Sequence, residues 1–193
     1  MRLSTCFLFF REFLKDVKRT GSLVPDSRSC IRRLLCHINF EDVRLIVEWG
    51  AGSGAVTQSI LERMTPSSRL VSFEANPNFY QQLKTISDPR LIILHEDVWN
   101  SKRVLGQLGI SLVDCVVSTL PTSNIPGYEF LVRDVLRSIL VPQGVFVQYT
   151  HVVTALKGFQ LRPILSRYFE KVKKDLTLFN LPPAWIYTCK VRK

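Results

Sequence analysis

The sequence predicts an α/β fold with a seven-stranded, mostly parallel sheet and helices on both faces. Three observations carry that prediction. Short apolar runs alternate with helical patterns along most of the 193 residues, the signature of successive strand–helix–strand units. A glycine-rich turn, Gly50-Ala51-Gly52-Ser53-Gly54, stands between the apolar run Leu45-Ile46-Val47 and a helical pattern. The last two apolar runs are joined only by Asn180-Leu181-Pro182-Pro183, too short for a parallel crossover, so they pair antiparallel.

The first element is an amphipathic helix over residues 1–20. At about 100° per residue, Leu3, Cys6, Phe7, Phe9, Phe10, Phe13, Leu14 and Val17 share one half of the circumference. Ser4, Arg11, Glu12, Lys15, Asp16, Lys18 and Arg19 occupy the other, with Leu8 out of place. A helix aromatic on one side and basic on the other suits a bilayer interface. Charges from Arg11 onward leave an apolar run far short of the roughly 20 residues that a span needs, and no small-residue cleavage site follows it. The alternative is that this apolar stripe packs on the chain's own domain.

Residues 21–193 read as one domain, with a second N-terminal helix ahead of the first strand. Strands are expected at Leu45–Glu48, Leu70–Glu74, Leu91–His95, Asp114–Ser118 and Val145–Tyr149, then Phe169–Phe179 and Ala184–Val191. Helices are expected at Ala55–Met64, Pro77–Ile86, Tyr128–Leu140 and Thr154–Tyr168. Pro142-Gln143-Gly144 reads as the turn into the fifth strand.

Composition narrows the setting. The chain is 46% hydrophobic and 22% charged, as folded globular domains are. Five cysteines without CxxC or Cys/His spacing point to a reducing compartment and no metal. Net charge is +10, unevenly spread: residues 45–156 carry 8 basic and 9 acidic side chains, whereas residues 157–193 carry 9 and 2. Basic ends around a near-neutral centre imply an anionic partner, either a membrane face or nucleic acid.

The glycine turn is the chemical centre of the sequence. Alternating glycines let the backbone turn sharply and come close to a ligand, and the following helix directs free N–H groups to the same crevice. Gly50, Gly52 and Ala55, with Glu74 twenty residues beyond Gly54, also satisfy a dinucleotide fingerprint. Acidic residues also stand at three expected strand ends, Glu48, Glu74 and Asp97. Glu74 is suited to accept two hydrogen bonds from ribose hydroxyls, and the Glu48 charge favours a cationic group.

From residue 21 onward the chain resembles the class I S-adenosylmethionine-dependent methyltransferases. Val47-Glu48-Trp49-Gly50-Ala51-Gly52-Ser53-Gly54 resembles their first motif, Phe73-Glu74-Ala75-Asn76 their second, and His95-Glu96-Asp97-Val98 their third. The resemblance implies a Rossmann-like sheet, S-adenosylmethionine as cofactor, and Asp97 on the adenine amino group. The cofactor-binding set is then Glu48, Gly50, Ala51, Gly52, Gly54, Glu74, Ala75, Asp97, Val98, Ser118 and Leu120.

Arg19–Arg28, Val117-Ser118-Thr119-Leu120-Pro121, Phe146-Val147-Gln148-Tyr149-Thr150-His151 and Asn180-Leu181-Pro182-Pro183-Ala184 are similar to segments of the bacterial phospholipid N-methyltransferases, relatives of the ribosomal RNA adenine dimethyltransferases. That resemblance implies stepwise methylation of phosphatidylethanolamine toward phosphatidylcholine, by a cytoplasmic enzyme held peripherally on the inner face of the membrane. Residues 1–20 and the basic tail are the expected membrane contacts. Arg19, Ser22 and Arg28 are the candidates for the lipid phosphate or the cofactor carboxylate, and Pro121 and Thr122 border the acceptor. Tyr149, His151 and Tyr128 are the candidates for taking the ammonium proton. The chain departs from the family pattern at Trp49, Ala51, Asp26 and His151.

Two alternatives stand beside this reading. An RNA adenine methyltransferase would use the basic tail on phosphates; the loop Ser118-Thr119-Leu120-Pro121-Thr122 lacks the amide and stacking ring that such enzymes use on a flipped base. A cofactor-binding relative without catalysis is the other.

Overall fold

A computed structural model describes residues 27–122, 125–152, 160–177 and 183–191. The expected helix over residues 1–20, and with it Arg19 and Ser22, lies outside the described residues.

The first described helix, α1 (Arg28–Leu35), is capped by Ser27, whose hydroxyl accepts from the Cys30 N–H at 3.1 Å. Its apolar face, Cys30, Ile31, Leu34 and Leu35, is buried. There follow β1 (Leu45–Trp49), α2 (Ala55–Leu61), β2 (Arg69–Phe73), α3 (Pro77–Leu83), β3 (Leu91–Leu94), a 3-10 turn (Val98–Asn100), α4 (Ser101–Gln107) and β4 (Val113–Ser118). A helix α5 spans residues 128–139, its middle (Leu131–Leu136) wound as a π-helix. The chain continues through β5 (Leu140–His151), α6 (Leu161–Tyr168), β6 (Lys171–Thr177) and β7 (Ala184–Lys190).

The seven strands form one sheet in the order β3-β2-β1-β4-β5-β7-β6. β1 to β5 pair in parallel, and β7 runs antiparallel to both β5 and β6. Alternate side chains enter two cores, one on each face. Val47, Trp49, Phe73, Val116 and Phe146 pack with α4, α5 and α6, whereas Ile46, Leu70, Cys115, Val117, Val147 and Tyr149 pack with α1 and α2. All five parallel strands therefore present their carboxyl ends along one edge, and the order reverses between β1 and β4, where a crevice opens in such sheets.

Three expectations are corrected. The sequence reading places no helix where α4 stands: with Gly106 inside it, Gly109 after it and Val104 and Leu105 its only buried apolar residues, it lacks the apolar stripe that marks a helix in sequence. The segment Pro142-Gln143-Gly144 is not a turn ahead of the fifth strand but lies within β5. Gln143 turns left-handed there, with φ 64°, and a Cβ on Gly144 would lie 2.8 Å from the Val141 carbonyl oxygen. The strand thus buckles and resumes, with a matching register shift opposite, between Val113 and Cys115. α2 and α3 stop a turn short of the expected Met64 and Ile86.

Candidate active site

The glycine turn is tied to the end of β2. The N–H groups of Gly50 and Ala51 both donate to the Phe73 carbonyl, at 3.0 and 3.2 Å. Gly50, Gly52 and Gly54 have φ of 79°, 55° and 84°, the left-handed region that side chains disfavour. A Cβ on Gly50 would also lie 2.9 Å from Leu120 Cδ2, and one on Gly54 2.9 Å from Ile86 Cδ1, so either side chain would have to shift to admit it.

Two of the three acidic strand ends converge on this turn. Glu48 is wholly buried; its Oε2 accepts from the Thr57 and Ser72 hydroxyls, each at 2.7 Å. Burial pushes its carboxyl up to about 7, although those two hydroxyls pull the other way. Its Oε1 is buried with no hydrogen-bond partner among the described residues. Glu74 bridges the turn and the end of β2: Oε2 accepts from the Gly52 N–H and Oε1 from the Asn76 N–H, both at 2.7 Å. Burial raises its carboxyl too, against the lowering by those backbone N–H groups.

Asp97 lies further out. It is exposed and caps the turn Val98–Asn100 by accepting from the Trp99 N–H at 3.0 Å. Val98 beside it is buried, while Trp99 is 40% exposed. Exposed Ala75 lends its carbonyl to His95 Nε2 at 3.2 Å, and the His95 ring stacks on Tyr80.

The other side of the crevice is the segment after β4. Thr119 joins it to the glycine turn, its hydroxyl donating to the Gly50 carbonyl at 2.6 Å and its N–H to the Trp49 carbonyl at 3.1 Å. Ser118 is buried, Leu120 and Pro121 are half-buried, and the buried Thr122 hydroxyl meets that of Thr150 at 3.2 Å. Arg28 is exposed at the start of α1.

The three candidates for the proton do not form one group. Tyr149 and His151 lie together, the Tyr149 hydroxyl 3.2 Å from His151 Nδ1, on the face that α1 and α2 cover. Tyr128 is on the opposite face, where its hydroxyl donates to Gln148 Oε1 at 2.8 Å. Burial raises the Tyr128 phenol well above its ordinary 10, so it retains its proton and is a donor rather than a base. Thr57, Ser72, Thr119 and Gln148 are the site residues that motif reading missed. The legible signal for Gln148 was a lone amide inside an apolar strand.

These residues fit a cationic nucleoside cofactor. A buried carboxylate oxygen without a partner is satisfied by a cation or a donor. Glu74 still has acceptor capacity for a diol.

The sheet order, the glycine turn and the strand-end carboxylates define a class, and the chain belongs to the class I S-adenosylmethionine-dependent methyltransferases. It is 33% identical over 189 residues, 95% of each chain, to the ornithine lipid N-methyltransferase of Singulisphaera acidiphila. Residues 18–107 match the family described as ribosomal RNA adenine dimethylase. Among solved structures, an O-methyltransferase from Bacillus cereus in complex with S-adenosylhomocysteine superposes with a TM-score of 0.69 at 14% identity, covering 100% of this chain and 92% of that one. The N-methyltransferase NodS from Bradyrhizobium japonicum superposes with a TM-score of 0.62 at 15% identity, covering 86% and 85%. The cofactor of this protein is S-adenosylmethionine.

Proposed function

We propose that this protein methylates the amine headgroup of a membrane lipid, with phosphatidylethanolamine on the way to phosphatidylcholine as the first acceptor to test. The observation that carries the reading is the similarity to a lipid N-methyltransferase along 95% of both chains. The second reading, an RNA adenine methyltransferase, has the family match over residues 18–107 in its favour. That match covers the cofactor half and stops before the acceptor loop Ser118–Thr122, which lacks a stacking ring.

Bound S-adenosylmethionine supplies an electrophilic methyl group, and the protein's task is positioning and proton removal. Glu48, Glu74, Asp97 and the glycine turn hold the cofactor in this reading. Tyr149 and His151, in mutual contact, take the ammonium proton so that the amine lone pair becomes available. Thr122 and Pro121 line the acceptor side, with Arg19, Ser22 and Arg28 for the lipid phosphate.

Membrane contact is peripheral in this proposal. Among the described residues no helix is long and apolar enough to cross a membrane. The edge strand β6 carries Lys171, Lys173 and Lys174, with the Lys174 ammonium 3.7 Å over the Trp185 ring and Leu176 42% exposed beside them. Cations interleaved with apolar and aromatic groups suit an anionic bilayer surface. Transfer of label from S-adenosylmethionine to vesicles containing phosphatidylethanolamine and an anionic lipid tests the reading. Labelled mono-, di- or trimethylated lipid supports it; label in ribosomal RNA alone would replace it with the second.

A further inference from the structure

Gln148 is wholly buried at the carboxyl end of β5, opposite Ser118 of β4, and every polar atom of its amide is engaged. Nε2 donates to the Leu120 carbonyl at 3.2 Å and to the Tyr149 carbonyl. Oε1 accepts from the Tyr128 hydroxyl at 2.8 Å. The orientation of the amide is not arbitrary, because two carbonyl oxygens only accept and therefore face the NH2 group. Tyr128, a retained phenol, is then the matching donor.

The partners of this amide lie in the segment after β4 and at the start of α5. Tyr128 opens α5, just after the acceptor loop. Leu120 lies in that loop, and its side chain occupies the space over Gly50 that a Cβ would fill, with Leu120 Cδ2 2.9 Å from that position. Thr119, next to it, donates to the Gly50 carbonyl at 2.6 Å. A connected path of hydrogen bonds and packing thus runs from α5 through Gln148 and Leu120 to the cofactor turn.

We propose that Gln148 is a positioning residue for methyl transfer: its amide pins the segment after β4 against the glycine turn, and so sets the distance between acceptor and cofactor. It touches neither reactant and acts through Leu120. The proposal depends on methyl transfer, not on which amine is the acceptor. A displacement of about 1 Å at a reacting centre costs roughly a hundredfold in rate, so one amide in this place has leverage that its single set of hydrogen bonds does not suggest.

Three variants of the full chain test it, with labelled S-adenosylmethionine and phosphatidylethanolamine in mixed micelles. Gln148→Leu, which removes both N–H groups, is expected to lower kcat about a hundredfold while the calorimetric Kd for S-adenosylmethionine changes by less than about threefold. Gln148→Glu is the discriminating variant. Protonated, a carboxylic acid restores one donor toward a carbonyl; ionised, it has none. Its rate relative to wild type at the same pH is therefore expected to rise as pH falls, which mere loss of fold would not produce. Tyr128→Phe leaves the strand intact and is expected to lower kcat about tenfold.

Hydrogen exchange gives a readout that needs no acceptor: peptides covering Ser118–Thr122 are expected to exchange at least tenfold faster in Gln148→Leu, and those of α2 no faster. An unchanged kcat with unchanged loop exchange would overturn the proposal, as would a pH-independent ratio in a folded Gln148→Glu. If the wild type transfers no label to phosphatidylethanolamine, the lipid assignment fails and the exchange result alone decides the role of Gln148.

Discussion

Glu48→Gln should change how stability depends on pH. Glu48 is completely buried, and its burial raises the carboxyl from 4.5 to about 7. Between those values the folded chain holds a proton that the unfolded chain releases, so stability falls as pH rises through that window and levels off above about 7. At about 1.4 kcal/mol per pH unit, the loss is about 3 kcal/mol. For a chain of this size that corresponds to roughly 6–12 °C in Tm. The glutamine cannot ionise, so its curve lacks this component, although it bears a constant cost for an amide donor placed where Oε1 has no partner among the described residues. Wild type and variant, both without cofactor, are unfolded in urea at half-unit steps from pH 4.5 to 8.5. The wild type is expected to lose about 3 kcal/mol relative to the variant across the series. Parallel curves would mean that Glu48 is already ionised inside the fold at pH 5, and the argument from burial would be wrong.

Gly50→Ala forces a side chain into φ 79° and against Leu120, and is expected to weaken S-adenosylmethionine binding at least tenfold; an unchanged calorimetric Kd would show that no ligand approaches this turn closely. Tyr149→Phe removes the hydroxyl in contact with His151 and should lower kcat by about a hundredfold without altering cofactor affinity, as initial-rate kinetics will read. Lys174→Glu reverses the charge over Trp185 and should weaken sedimentation with anionic vesicles by at least tenfold at low salt. Deletion of residues 1–20 should abolish vesicle binding with cofactor affinity intact, and vesicle binding that survives the deletion would move the membrane contact to the β6 edge.

What was legible in the sequence was what local pattern and local chemistry dictate. Leu45–Val47 followed by alternating glycines specifies a strand and a tight turn wherever they occur, because steric limits on φ act on each residue alone. The alternation of apolar runs specified a parallel sheet, and the seven strands fell where that pattern put them to within a few residues, apart from β5. Acidic residues at three strand ends were visible as an array. α4 was not visible, because Val104 and Leu105 are too few to mark a helical face and the surrounding core holds the helix in place.

The site divides in the same way. That Glu48, Glu74 and the glycines belong together follows from their places at the ends of strands, which sequence alone determines. Which face each side chain takes depends on pairing register, and register is a property of the assembled sheet. Tyr149 and His151, two apart on β5, share a face by the alternation of the strand itself; only in the assembled sheet does Tyr128 lie on the other face and Gln148 within reach of Leu120 and Tyr128, 28 and 20 residues away in the chain. Sequence by itself determined the turn, the places of Glu48 and Glu74 at strand ends, and where the strands and most helices fall along the chain. Tertiary structure decided which hydroxyls and amides share a buried contact, because burial and hydrogen bonding between distant segments exist only once the core has closed.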